Sequence, residues 1–208
     1  MHKQVTKGHY EDNYDTLERF ISYHYQIKAS IRCGGNILDV GIGNGFVSNY
    51  LLKKEYNVTT CDFDADLKPD IIADIRNLPI KDKYFTTVLA CEILEHIPWD
   101  DVPLAISELA RITNKNVIIS IPCKSIYLET VIKSNLLKKI GLPVIRFLIK
   151  IPAFFLKHKF DGEHYWELGA AGYSSAKFEK ILKKYFTIKE KANPPMNTYH
   201  QFYILDKK

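Results

Sequence analysis

The stretch ILDVGIGNGF, Ile37 to Phe46, sets the tightest constraint on the fold. A short apolar run carries one acid, Asp39, and then places glycine at every second position, Gly41, Gly43 and Gly45. The run reads as a buried strand, and Asn44 is placed to cap a helix reaching to about Lys54 with Phe46, Val47, Tyr50 and Leu51 inward. Positions without side chains let a ligand approach the backbone, and a helix N-terminus presents free N–H groups to it. A bare strand-to-helix turn does not need three alternate glycines.

The rest of the chain repeats that alternation. Residues 10–32 have helical spacing, with Leu17, Phe20, Ile21, His24 and Ile27/Lys28 on one face and Gly34-Gly35 ending the segment. NVTTCDF, PDIIAD, TTVLAC and NKNVIISIP read as further strands. A helix to about Thr113 carries Pro98 or Pro103 in its first turns. Continuous apolar strands alternating with helices predict a mostly parallel sheet covered on both faces. SSAKFEKILKKYF predicts a later helix, and TIKEKA and YHQFYILD, joined through NPPMN, an antiparallel pair at one edge. The 208 residues suit one domain, 1–208: an N-terminal helix over 10–32, a ligand-binding core over 36–122, an insert over 123–173, and a C-terminal helix and strands over 174–208.

Charge is unevenly placed. Residues 1–122 carry 13 Lys+Arg against 17 Asp+Glu, whereas 123–208 carry 16 against 7. Within 123–160 the only acid is Glu129, set among apolar residues and lysines. Lys139, Arg146, Lys150 and Lys157, spaced 7, 4 and 7, would form a basic stripe on a helix divided by Pro143 and Pro152. The expectation is a basic, apolar helical insert, read as a lid, a membrane-surface helix or an interface. It has no uncharged run long enough to span a bilayer. Cys33, Cys61, Cys91 and Cys123 are scattered without a CxxC pair, and the N-terminus lacks an apolar signal core. The expectation is a cytoplasmic protein with reduced thiols and no metal site.

Two ligands fit a glycine turn poorly. A nicotinamide dinucleotide favours G-x-G-x-x-G, whose last glycine is Phe46 here, and no Gly-Lys-Ser/Thr follows to make a P-loop. The sequence instead resembles the class I S-adenosylmethionine-dependent methyltransferases over roughly 36–122. ILDVGIGNGF is similar to their first motif, VTTCDFD to their second-strand acid, and IIADIRNLPI to the segment beside adenine. FTTVLACEILEHIP and NVIISIP are similar to their fourth and fifth strands. The resemblance implies a Rossmann-like, doubly wound, mostly parallel seven-stranded sheet with an antiparallel C-terminal edge pair and the helical insert after the fifth strand.

It also implies S-adenosylmethionine as cofactor and S-adenosylhomocysteine as product. Asp62, with Phe63 beside it, would take the ribose diol, since one carboxylate can accept from two hydroxyls. Asp74 and Ile75 would flank adenine. Asp39 and the backbone near Gly41 and Cys91 would serve the methionine ammonium. An activated methyl donor leaves the protein to align an acceptor and, for a weakly acidic one, to supply a base. His96, next to Glu92 and Glu95, and His164, in FDGEHYWELGAAGYS, are the candidate bases. Tyr10 and Tyr14 are placed to close over the cofactor. The acceptor is expected to be small or lipid-like, methylated on oxygen, nitrogen or carbon, with peripheral membrane contact through 133–159. Nucleic acid is disfavoured because no RNA-binding signature accompanies the lysines. The alternatives are a non-catalytic cofactor-binding protein acting through its basic appendage and a nicotinamide-dependent dehydrogenase.

Overall fold

Burial on both faces turns the short apolar runs into a central sheet. The computed structural model describes residues 7–10 and 14–208. From α1 (Leu17–Cys33) the chain runs through β1 (Ile37–Val40), α2 (Phe46–Lys53), β2 (Val58–Asp62), β3 (Ile71–Ile72), β4 (Phe85–Cys91), α3 (Val102–Ile112) and β5 (Thr113–Pro122). Then follow β6 (Ser125–Ile132), α4 (Asn135–Lys139), β7 (Ile145–Pro152), α5 (Ser175–Leu182), β8 (Phe186–Ala192) and β9 (His200–Lys207). Seven strands share one sheet in the order β3-β2-β1-β4-β5-β9-β8. β1 to β5 pair in parallel, and β9 lies antiparallel between β5 and β8.

Successive strand residues point to opposite faces. Ile37, Leu89, Ile118 and Ile204 join Tyr23, Ala29, Val47 and Leu51 on the α1/α2 face. Their neighbours Leu38, Val88, Val117 and Tyr203 join the larger cluster that includes Ile106, Leu109 and Phe178 from α3 and α5. Strands buried on both sides are apolar at most positions, which is why they are legible as runs.

Helix limits follow local chemistry. The Thr16 hydroxyl accepts from Arg19 N, so α1 starts at Leu17 rather than at residue 10, and Gly34, at φ +66°, ends it. Its inward residues are Ser22, Tyr23, Gln26, Ala29 and Ser30. The apolar face expected from spacing looks elsewhere: Phe20, Ile21 and His24 border a shallow groove with Lys133 and Met196. Asn44 Oδ1 accepts from Phe46 N at the head of α2. Tyr50 of that helix is exposed rather than inward, because Ser48 takes the buried position beside Asp39.

The insert is not the expected helix. It is an antiparallel ribbon of β6 and β7, with only the five residues of α4 helical between them. One face of the ribbon carries its charged residues, Glu129, Arg146 and Lys150, beside Val131 and Leu148, and these are partly buried against the body. Arg146 pairs with Glu129 at 2.6 Å and donates to the carbonyls of Asn193 and Pro194, while Lys150 Nζ donates to the carbonyl of Thr198. The other face is apolar and exposed, with Ile126 opposite Ile151, Leu128 opposite Ile149 and Ile132 opposite Ile145. The expected stripe is therefore split. Arg146 and Lys150 anchor the ribbon, whereas Lys139 and Lys157 lie exposed beyond its strands. Among the described residues no helix is long and apolar enough to cross a membrane.

Candidate active site

The carboxyl ends of β1, β2, β4 and β5 open on one cleft of about 1170 Å³, counting its open mouth. Ligands of open α/β sheets bind at this edge. Gly41 and Gly43 form its floor at φ +80° and +53°. A Cβ at Gly41 would stand 2.8 Å from Ile93 Cδ1 and 3.3 Å from Ile93 Cβ. Gly41→Ala is therefore expected to cost about 1–2 kcal/mol, since it combines that contact with a left-handed backbone. Thermal unfolding of the variant checks this, and an unchanged midpoint refutes it. Tyr10 and Tyr14 lie over Gly43, with their rings 4.9 Å apart, edge to face. They approach from the segment ahead of α1, not from the helix itself.

Asp62 is buried at the tip of β2. Its Oδ2 accepts from Ile42 N at 3.0 Å and its Oδ1 from Asp64 N at 2.9 Å. Asp62 also lines the cleft, and a carboxylate there can accept from a diol. Asp39 is buried below the turn and takes the Ser48 hydroxyl, and burial raises its pKa to about 6. Phe63 and Cys91 also line the cleft.

Past Cys91 the backbone turns sharply: Glu92 adopts φ +55°. Its carboxylate accepts from Arg19 Nη1 at 2.5 Å, Ser22 Oγ at 2.9 Å and Ser120 Oγ at 3.0 Å, and His200 Nε2 lies 3.2 Å away. Burial pushes its pKa up, but His200, Arg19 and the two serines outweigh burial, and the net direction is down. Glu92 is thereby a fixed anion at the back of the cleft.

At the far end, Glu95, His96 and His164 each bring a side-chain N or O within 4.8 Å of the others. The loop carrying His164 is stapled to the end of β4 by Tyr165 N donating to Glu95 O and by Trp166 Nε1 donating to Ile97 O. His164 Nδ1 faces Glu167 Oε1 at 3.2 Å, and Tyr199 donates to that same oxygen at 2.5 Å. His96 Nδ1 lies 3.0 Å from the carbonyl of Glu163, and its ring meets His164 edge to face. Glu95 is fully buried, and among the described residues neither carboxylate oxygen has a hydrogen-bond partner.

Burial raises the Glu95 pKa to about 8, partly opposed by His164. Burial and then His164 lower that of His96 to about 4. Burial lowers the His164 pKa, but Glu167, Glu95 and Asp161 more than reverse it, so its net direction is up. A reluctant acid beside a willing base is an arrangement built for moving a proton.

A family model described as a methyltransferase domain matches residues 38–121, the segment containing the glycine turn, Asp62 and the Glu92–His96 loop. Solved structures share the fold. The PH0226 protein from Pyrococcus horikoshii is 16% identical, with 96% of each chain covered and a TM-score of 0.62. Magnesium protoporphyrin IX methyltransferase from Synechocystis, with bound S-adenosylhomocysteine, is 17% identical, with 96% of this chain and 91% of that one covered and a TM-score of 0.62. The N-methyltransferase NodS from Bradyrhizobium japonicum, also in complex with S-adenosylhomocysteine, is 10% identical, with 97% and 95% covered and a TM-score of 0.59. A search of curated protein sequences gives no match.

Residues 38–121 are thus similar to a methyltransferase domain, and the chain shares its fold with structures that bind S-adenosylhomocysteine.

The cleft gathers Asp39, Gly41, Gly43, Asp62, Phe63, Cys91, His96 and His164 on one surface. Three residues expected at the cofactor lie off it. Gly45 caps α2 beyond the floor. Both Asp74 oxygens are taken by Arg76, which also reaches Asp101, and Ile75 is packed in the core. Arg76 stands two residues from Asp74, close enough to claim it before any ligand does. Sequence reasoning passed over Arg19, Glu167, Tyr199 and His200. Folding brings these together from opposite ends of the chain, and no local spacing marks them. Glu95 was visible only as a neighbour of His96, and burial is what distinguishes it.

Proposed function

We propose that this chain is an S-adenosylmethionine-dependent methyltransferase acting on a small or lipid-like acceptor, with Glu95 and His164 managing the acceptor proton. The observation that carries this reading is the buried, unpartnered Glu95 carboxylate facing the cleft beside a histidine oriented by Glu167. S-adenosylmethionine supplies a methyl group already activated on a sulfonium, so the chain has to bind, align and accept a proton. In this reading Asp62 would hold the ribose hydroxyls and the backbone at Gly41 and Gly43 would admit the cofactor without a side chain in its way. Tyr10 and Tyr14 cover it and exclude water. The acceptor enters between His96, His164 and Tyr199, and its proton passes to Glu95 with His164 alongside.

A lipid-like acceptor is supported by the ribbon, whose root at Ser125 follows Pro122 on the cleft wall. Peripheral membrane contact belongs to the same reading, because such an acceptor resides in a membrane. Cytoplasmic residence is supported by four free cysteines.

The test is formation of S-adenosylhomocysteine when the protein is mixed with S-adenosylmethionine and panels of carboxylate, phenol, amine and polyprenyl-type acceptors. Turnover confined to apolar or amphiphilic acceptors is expected. Calorimetric cofactor binding without turnover on any panel overturns the acceptor reading in favour of a non-catalytic binding role.

A further inference from the structure

We propose that the outward face of the β6–β7 ribbon lies on an anionic lipid bilayer. This gives the membrane contact proposed above a location and a lipid preference, and it rests on that reading.

A two-stranded ribbon on a soluble surface ordinarily puts apolar side chains toward the body and polar ones toward water. Here the charged residues lie on the inward face and the outward face is almost wholly apolar. The two cations of β7, Arg146 and Lys150, are spent on Glu129 and on backbone carbonyls of the β8–β9 connection. The isoleucines, Leu128 and Phe147 face outward, with Leu128 60% and Phe147 58% exposed. Each strand has eight residues, so the face extends for about 26 Å. Leu136 and Ile140 continue it past the tip, and Phe154 and Phe155 continue it past the root, all exposed. An exposed apolar surface this long is the mark of an interaction site.

Charge identifies the partner. Lys133, Lys138 and Lys139 are exposed at the tip and Lys157 and Lys159 beyond the root. Glu129, the sole acid of 123–160, is already paired with Arg146. An apolar face bracketed at both ends by unopposed lysines matches a membrane surface, where hydrocarbon lies beside anionic headgroups. A two-fold contact with a second copy would set one lysine-flanked patch against another and repel. Docking by this face brings the cleft wall at Pro122 close to the bilayer, within reach of an acceptor whose tail stays in the lipid.

Co-sedimentation with vesicles of equimolar phosphatidylcholine and phosphatidylglycerol, against phosphatidylcholine alone, tests the assignment on the full chain. The wild type is expected to pellet with the anionic vesicles, less so at high salt. Leu128→Ser/Phe147→Ser/Ile149→Ser removes half-exposed side chains of the outward face, outside the body's core, and is expected to weaken binding about tenfold or more. Lys133→Gln/Lys138→Gln/Lys139→Gln is expected to do likewise on anionic vesicles alone. Calorimetry with S-adenosylhomocysteine on each variant verifies that the cleft is intact.

Wild type remaining in the supernatant, or pelleting equal to that of the apolar variant, overturns the proposal. So does a wild-type dimer in velocity sedimentation that ignores vesicles and is dissolved by the apolar substitutions, which would give the face to a second copy. Loss of vesicle binding with turnover retained removes the docking surface and spares the methyl-transfer reading. Vesicle binding without turnover on any lipid does the reverse.

Discussion

Asp62→Ala is expected to weaken S-adenosylhomocysteine binding about 100-fold in isothermal calorimetry. The estimate follows from two hydrogen bonds to a charged acceptor, together worth about 3 kcal/mol once desolvation is counted. The nucleoside ends of substrate and product are identical, so the product serves as the probe. Part of the loss will come through the turn itself, since Ile42 N and Asp64 N lose their acceptors with the carboxylate. Asp62→Asn separates the two contributions: it preserves one acceptor and the shape of the side chain, and should fall between wild type and alanine. A dissociation constant for Asp62→Ala equal to that of wild type would remove Asp62 from the cofactor and with it the proposed orientation of the nucleoside.

Glu95→Gln is expected to lower kcat about 100-fold or more and to flatten the pH profile. With its pKa raised from 4.5 to about 8, Glu95 is protonated near neutrality and becomes a base only as the pH approaches that value. The wild-type rate should therefore climb with pH and level off above about 8, whereas the glutamine variant, with nothing to ionise at this position, should show no such limb. Glu95 and His164 face one another, so the midpoint belongs to the pair.

Stability carries the same signature with the opposite sign. A carboxyl whose folded pKa exceeds its unfolded value contributes fully below the unfolded pKa, here 4.5, and that contribution is lost as pH rises through about 8. The unfolding free energy of wild type relative to Glu95→Gln should thus fall across this window by an amount on the order of a few kcal/mol. Identical pH profiles of rate and stability in the two proteins would dismiss Glu95 as the buried proton acceptor.

How much was legible depended on whether a pattern belonged to one period or to two. β1, β4 and β5 are mostly apolar because both faces are covered, with Asp39, Thr87, Asn116 and Ser120 among the buried polar exceptions, and the glycine turn is marked by its own spacing. The ribbon was misread for a definite reason. Arg146 and Lys150 are four apart, which places them on one face of a helix and equally on one face of a strand. Only composition distinguishes the two: SIYLETVI and IRFLIKIP are dominated by β-branched and aromatic residues, which favour the strand. Outward-facing isoleucines then defeat any reading that assumes apolar means inward. In the cleft, Asp62 was readable from its place at a strand end. The clasp on Glu92 was not, because Arg19 and His200 are 181 positions apart in the chain.

That clasp bears on what a minimal version of this protein would need. Glu92 sits at a left-handed bend near the middle of the chain, yet its counter-charge comes from α1 and its histidine from β9. A fragment trimmed to residues 38–121 would keep the glycine turn and Asp62 but strand a carboxylate in the interior with only Ser120 to answer it. Truncation from either terminus should therefore damage the cleft itself, and the two tails of the polypeptide function as one buckle across it.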